Sequence, residues 1–154
     1  MRVDFFWPGR TKRPELRAVE DFYLGRIRLL ADGRVVVTPA ARGLDEREKA
    51  RILEIEAQGL EKRWKDDYII CLSDEGQDMT SAEFARFLAA RDREGRRLGF
   101  VVGGFLGLAE RVLRRADLRL ALSKMTLSHE LCRVVLLEQV YRSLTILQGR
   151  RYAK

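Results

Sequence analysis

The chain has 154 residues, 46% apolar and 34% charged, which excludes a mainly disordered protein and suits one domain, 1–154, with a buried core. Lys and Arg number 30 against 23 Asp and Glu, a net charge of +7 that favours an anionic partner, nucleic acid above all. Two Cys and one His exclude an ordinary four-ligand zinc site, so no metal is expected.

Of the 30 cations, 24 are Arg. Guanidinium binds phosphate bidentately and stacks on bases, which tilts the partner toward RNA. Genomic base composition gives the same bias, and solvated charged faces are the plainer reading. No apolar run approaches the ~20 residues of a membrane span. The longest, Phe100 to Ala109, has ten residues and three Gly. Met1-Arg2-Val3-Asp4 places an acid where a signal peptide carries its apolar segment. A cytoplasmic location without a membrane partner is therefore expected. Cys71 and Cys132 sit in apolar contexts and read as buried, reduced thiols.

Val3 to Trp7 reads as a first strand, ended by Pro8-Gly9. Leu16, Val19, Phe22, Tyr23, Ile27 and Leu30 recur at helical spacing and predict a helix over Glu15 to Leu30. Asp32-Gly33 is a turn before a second strand, Arg34 to Thr38. A charged helix follows from about Asp45 to Trp64, burying Ile52, Ile55 and Leu60. Tyr68 to Leu72 is a third strand, apolar enough to be covered on both faces. Ser73 to Asp78 reads as a polar loop. Thr80 with Glu83 forms a capping box that starts a helix bearing Phe84, Phe87 and Leu88. Arg91 to Arg97 is a charged, solvated turn. Leu98 to Val102 is a fourth strand, Ala109 to Arg115 a short helix and Leu118 to Leu122 a fifth strand. Ser128 caps a last helix from His129 to about Gln148, with Gly149 as its stop.

Strands alternating with helices predict an α/β fold: a mainly parallel sheet of five to six strands, covered by helices on both faces. Ligands in such sheets sit beyond the carboxyl ends of the strands. The loops after Leu72, Val102 and Leu122 are therefore the candidates. The last helix is apolar in nearly every direction around its wheel. One face covers the sheet, and the other needs a partner, which a second copy supplies as a homodimer. A central helix of a monomer is the competing reading.

The common nucleotide and hydrolase signatures are absent. No Gly-Lys-Ser or Gly-Lys-Thr occurs, no Gly-x-Ser-x-Gly elbow exists, and Gly103-Gly104-Phe105-Leu106-Gly107 is not the dinucleotide fingerprint. Asp74 and Glu75 are well placed but have no nameable partner. Glycines after a strand let a ligand approach the backbone. The irregular polar run between Leu122 and Glu130 leaves peptide groups that a bound heterocycle can satisfy.

These segments carry a resemblance. The Gly9-Arg10-Thr11-Lys12 opening, the Glu20 to Ile27 helix with Tyr23 and Arg26, and the Phe-Val-Val-Gly-Gly strand end recur together with Leu-Ser-Lys-Met-Thr-Leu-Ser-His and Leu137 to Arg142. In these features the chain resembles the small bacterial SPOUT methyltransferases of 23S ribosomal RNA, the ribosomal large-subunit methyltransferase H family. The resemblance implies a C-terminal trefoil knot, a homodimer and S-adenosylmethionine bound in the knot. It implies methylation of N3 of a pseudouridine in 23S rRNA on the assembled ribosome. The family's cofactor contacts map onto Leu72, Gly104, Leu122, Ser123, Lys124, Met125, Thr126 and Leu127. Plain core packing is the alternative for the three Leu. A non-catalytic RNA-binding or ribosome-assembly protein on the same fold is the competing function.

Three residues are candidates for the chemistry. His129, the only His, begins the last helix, where the helix N-terminus favours the neutral imidazole. A helix-start residue bonded to the backbone is its plainer role. Arg142 suits phosphate or a deprotonated base. At about 100° per residue it lies roughly 220° round the helix from His129, so it fits the other subunit's site better. Tyr152 is the third, a stacking aromatic in a basic tail with Arg150, Arg151 and Lys154, the RNA-binding candidates. A frayed terminus is the competing description. Family members usually end in Tyr-His before a basic residue; Ala153 stands in that His position here.

Overall fold

A computed structural model describes residues 1–152. Five strands, β1 (Arg2–Pro8), β2 (Asp32–Thr38), β3 (Tyr68–Asp78), β4 (Leu98–Val101) and β5 (Leu118–Ala121), alternate with five helices. These are α1 (Pro14–Arg28), α2 (Lys49–Glu61), α3 (Ser81–Arg93), α4 (Glu110–Arg115) and α5 (His129–Leu147), with a 3-10 turn at Glu46–Glu48. The strands form one sheet in the order β2-β1-β4-β3-β5, and every neighbouring pair is parallel. The sheet thus has five strands.

Alternation along β1 shows how the sheet is covered. Successive side chains point to opposite faces. Val3, Phe5 and Trp7 enter a core with Ile27 of α1, Phe84 and Leu88 of α3, and Leu136, Leu137, Val140 and Leu144 of α5. Phe6 enters a second core with Ala57 and Leu60 of α2 and Val112 of α4. Three helices therefore pack on one face and two on the other. No helix among the described residues is long and apolar enough to cross a membrane.

Four local expectations need correction. Asp32 and Gly33 belong to β2, pairing with Arg2 and Val3, rather than to a turn. In α2 the buried side chains are Glu56, Ala57 and Leu60, while Ile55 is exposed and Ile52 half-buried. The charged stretch Ser73 to Asp78 is not a loop but the continuation of β3 after a bulge. β3 pairs with β5 from Ile70 to Leu72, then again at Gln77 and Asp78, so that Leu120 faces both Leu72 and Gln77. The Arg91 to Arg97 segment does form an exposed turn over residues 92–96, but its guanidiniums do not simply face water. Arg91 lies over the Tyr68 and Phe87 rings at 5.4 and 5.8 Å, and Arg96 lies 5.4 Å over Tyr68. Arg97 donates to buried Asp4 at 2.9 Å, and Arg34 grips the same carboxylate bidentately at 2.9 and 2.7 Å. Burial alone would raise the Asp4 pKa; the two guanidiniums outweigh it and hold it below the ordinary value.

The capping box is formed as read. Thr80 Oγ1 accepts from the Glu83 amide, and the Glu83 carboxylate accepts from the Thr80 amide. Ser128 caps α5 by accepting from the Leu131 amide, and Gly149 ends it with φ of 63°.

The bulge in β3 depends on one glycine. A Cβ on Gly76 would lie 2.7 Å from the carbonyl carbon of Arg119 and 2.8 Å from its oxygen, both main-chain atoms that cannot swing away. Gly76→Ala is expected to cost about 1–3 kcal/mol of stability, the range for forced overpacking, read as a lowered urea midpoint.

Candidate functional site

The bulged stretch of β3 meets the loops that follow β4 and β5. They enclose a cleft of about 450 Å³, within the range of small-molecule sites. Leu72 and Asp74 come from the bulged stretch of β3, Gly103, Gly104 and Gly107 from the β4 loop, and Leu122, Ser123 and Met125 to Ser128 from the β5 loop. His129 and Cys132 contribute from the first turn of α5.

The β4 loop needs its glycines. Gly107 adopts φ of 82°, a left-handed conformation, and its amide donates to the Gly104 carbonyl at 3.0 Å. A Cβ on Gly103 would meet the Gly107 carbonyl carbon at 2.5 Å. The backbone therefore lines this wall of the cleft. Behind Gly104 stands Glu56 of α2, whose Oε1 is 3.0 Å from where a Cβ would sit. Burial pushes the Glu56 carboxyl up, against a bond from the Ala41 backbone and the nearby Arg133 charge.

The β5 loop is tied across the cleft. Thr126 Oγ1 donates to Asp74 Oδ2 at 2.8 Å, which gives Asp74 the partner the sequence did not reveal. Ser123 Oγ accepts from the Met125 amide at 3.0 Å and tightens the turn. Met125 and Phe105 stand 79% and 72% exposed beside the cleft, an unusual state for two large apolar side chains unless something covers them.

Of the expected cofactor residues, Leu72, Gly104, Leu122, Ser123, Met125, Thr126 and Leu127 line this one cleft. Lys124 does not; its side chain is 88% exposed and reaches toward Asp78 at 3.9 Å. His129 lines the cleft, edge-on to Phe105 with ring centroids 6.4 Å apart. Burial, then the Arg133 and Lys12 charges, lower its pKa, while Glu130 opposes them. The imidazole is thus held neutral, and burial rather than the helix terminus is the leading cause. Cys132 also faces the cleft, with its thiol pushed up to about 11 by burial; Cys71, in the core, goes to about 12. Neither is a nucleophile near neutral pH.

Arg142 and Tyr152 lie elsewhere. Thirteen residues of helix separate Arg142 from His129, about 20 Å along the axis at ~1.5 Å per residue. Arg142 donates to Glu138 at 2.5 Å, and its guanidinium covers the Tyr152 ring at 4.9 Å. Tyr152 packs edge-on against Tyr141 at 4.7 Å, with its hydroxyl 3.3 Å from that of Tyr23. Tyr152 is therefore docked against Tyr23 of α1 and Tyr141 of α5. Arg150 and Arg151 are exposed. Lys154, the remaining tail cation, falls outside the described residues.

Sequence reasoning missed a buried polar group beside the cleft. Arg133 is 1% exposed and donates to the carbonyls of Pro8 and Gly9 and to Thr11 Oγ1, which in turn bonds Glu20. Glu130 accepts from the Lys12 amide at 2.6 Å and the Arg13 amide at 3.2 Å. The signal for this was present: Glu130 and Arg133 are two opposite charges, three positions apart, on an otherwise apolar half-helix. Among the described residues, no group of three or more His, Cys, Asp or Glu is placed to hold a metal.

A parallel sheet with a glycine-walled cleft at its carboxyl edge defines an α/β protein with its cleft where such folds place small ligands. Comparison with known proteins names the class. Residues 1–153 match the family described as "Predicted SPOUT methyltransferase". A ribosomal RNA large subunit methyltransferase H of Nitratidesulfovibrio vulgaris (strain DP4) is 39% identical over 153 residues, covering 94% of this chain and 92% of the relative. A protein of the same name from Alkaliphilus oremlandii is 35% identical over 159 residues and covers both chains completely. The fold matches a crystal structure described as a probable methyltransferase from Bordetella pertussis Tohama I, with TM-score 0.59 at 15% identity over 93% of this chain and 96% of the other. The chain belongs to the SPOUT methyltransferase family.

Proposed function

We propose that this chain, as a single domain over residues 1–154, transfers a methyl group from S-adenosylmethionine to N3 of a pseudouridine in 23S rRNA, in the cytoplasm, on the assembled ribosome. The observation that carries the reading is the cleft. Seven of the eight residues that the family resemblance marks for the cofactor line one cavity, next to the sole His. The names of the full-length relatives support the rRNA substrate. Membership of the family supports a C-terminal trefoil knot around that cleft.

The residues fit the cofactor. Leu72, Leu108, Leu122 and Leu127 offer apolar walls for an adenine ring. The backbone of the glycine loop and of residues 122–128 offers peptide donors and acceptors. Bound S-adenosylmethionine supplies an electrophilic methyl carried by a sulfonium.

The chain's own residues do the rest. The loops must hold the nucleophilic nitrogen in line with the methyl and the departing sulfur. N3 is protonated at neutral pH, so its proton must leave as the N–C bond forms. Neutral His129 takes that proton at its imidazole. Negative charge on the flanking carbonyl oxygens then needs a cation. Arg142 of the same chain is a helix length away, so the partner subunit's copy serves this site. A homodimer is supported by apolar side chains left open on two of the three helices of one layer: Val19 and Phe22 on α1, Leu131, Ile146 and Leu147 on α5. Their presence accounts for the all-round apolar character of α5, whose other faces are buried within one protomer.

Purified protein incubated with labelled S-adenosylmethionine and naked 23S RNA, free large subunits or whole ribosomes is expected to label whole ribosomes, at N3 of a pseudouridine. Calorimetry showing no S-adenosylmethionine binding would establish the assembly-factor reading instead. His129→Gln is expected to lower kcat about 10²–10⁴-fold with cofactor affinity kept. In the wild type, the acid limb of kcat is expected below the ordinary histidine value of about 6.5, because burial, Arg133 and Lys12 oppose protonation more than Glu130 favours it. Mixed dimers of an Arg142→Ala chain and a cofactor-loop mutant are expected to regain activity at one site. No recovery counts against a shared site.

A further inference from the structure

The segment from Gly9 to Arg13 joins β1 to α1, and only the Lys12 charge near His129 enters the chemistry above. It is nevertheless fixed with unusual thoroughness. The Gly9 amide donates to the Thr38 carbonyl of β2 at 2.9 Å. Gly9 itself is left-handed, with φ of 70°, and a Cβ there would meet that of Ala40 at 3.1 Å. Arg133 of α5 donates to Pro8, Gly9 and Thr11 at 2.9, 3.1 and 3.1 Å. Thr11 also bonds Glu20 of α1, and Glu130 of α5 takes the amides of Lys12 and Arg13. Side chains and backbone from β2, α1 and α5 thus all hold this short loop.

This anchoring is made of groups that are costly to bury. Arg133, Glu20 and Glu130 are 1%, 5% and 7% exposed, and Arg133 Nε has no partner among the described residues. Buried ionic groups give weak net stabilisation compared with apolar packing of the same volume. Their benefit here is directional: they set the path of the loop and its distance from α5.

The loop sorts charge by side. The acids, Glu20 and Glu130, face inward and are engaged by Thr11 and the loop amides. The exposed side chains are Arg10, Lys12 and Arg13, and none of the three makes an ion pair or side-chain hydrogen bond among the described residues. The Lys12 amide is bonded to Glu130, the residue next to His129, so this cationic edge adjoins the cleft. A fixed backbone carrying unpaired cations is suited to an anion whose position matters, since little ordering remains to be done on binding.

We propose that Arg10, Lys12 and Arg13 form a phosphate-binding edge that grips the RNA strand flanking the target nucleotide and sets its register against His129. This rests on the RNA methyltransferase reading above. Phosphate contacts of this type position a nucleic acid without reading its sequence.

The test is the triple variant Arg10→Ala/Lys12→Ala/Arg13→Ala, with Lys12→Arg as the charge-keeping control. The loop's anchors are backbone groups, Thr11 and residues of α1 and α5, so all remain. The expected result is a KM for ribosomes raised about tenfold or more, kcat within about twofold and unchanged S-adenosylmethionine affinity by calorimetry. The slope of log binding constant against log salt is expected to fall by about one for each phosphate that the variant no longer grips. Lys12→Arg should behave as wild type. Unchanged KM and salt slope in the triple variant would overturn the proposal. So would a shifted pH profile at constant salt slope, which would make the cations modulators of His129 instead. Wild-type protein that binds 23S RNA without methylating it would overturn the reaction and leave the salt slope of RNA binding to decide the loop.

Discussion

Arg133 is the tie on which the geometry of the carboxyl edge depends. Apolar contacts between α5 and the sheet are strong but non-directional, and they leave a helix free to slide or rotate by fractions of a turn. One guanidinium, buried against the Trp7 ring at 5.1 Å, removes that freedom by donating to the end of β1. Glu130, one turn before it, does the same through the amides that follow. Burial would raise the Glu130 pKa, but those two amides and the neighbouring Arg133 charge outweigh it, so the carboxylate stays ionised. The first turn of α5 is therefore fixed relative to β1, and with it His129 and the mouth of the cleft.

The cleft itself follows a different logic. Its walls come from chain path rather than from an array of charged side chains. Gly103 allows the backbone of Gly107 to approach where any side chain would intrude, and Gly107 supplies the left-handed turn that brings it there. The bulge in β3 moves Asp74 into reach of Thr126, which holds the β5 loop bent. A ligand recognised this way meets peptide groups and Leu side chains, and neither has a signature at the level of residue type. That explains why the nucleotide motifs of other α/β proteins are absent although the site lies where parallel sheets place their ligands.

Period and punctuation made the architecture legible. Strand–helix alternation fixed the parallel sheet, and the caps at Thr80, Ser128 and Gly149 set helix ends to within a residue or two. The segments after Leu72, Val102 and Leu122 could be picked out because ligand position in such folds follows from topology, although the first of them proved to be strand. What stayed hidden depends on pairs distant in sequence. Nothing near Asp4 reveals that Arg34 and Arg97 converge on it, and nothing in Ser73 to Asp78 reveals a second pairing with β5. In α2, Glu56 is buried and Ile55 exposed because the helix is rotated to set Ala57 and Leu60 on the sheet, close enough for Glu56 to back the glycine loop. Hydrophobicity by residue type gives the opposite answer there.

The net charge is the feature most changed by the fold. Many of the Arg residues that produce +7 are structural. Arg34 and Arg97 hold Asp4, Arg91 and Arg96 cover aromatic rings, and Arg111 bridges Glu54 and Glu61. Arg133 is buried outright. A count of cations therefore overstates the surface available to RNA, and composition alone cannot locate it. Exposed side chains without an acidic partner are the better guide, because a phosphate meets them at no cost in broken ion pairs. Arg10, Lys12 and Arg13 satisfy that condition beside the cleft, on a loop anchored by the buried acids Glu20 of α1 and Glu130 of α5. The path of that loop is set by the same buried network that places His129.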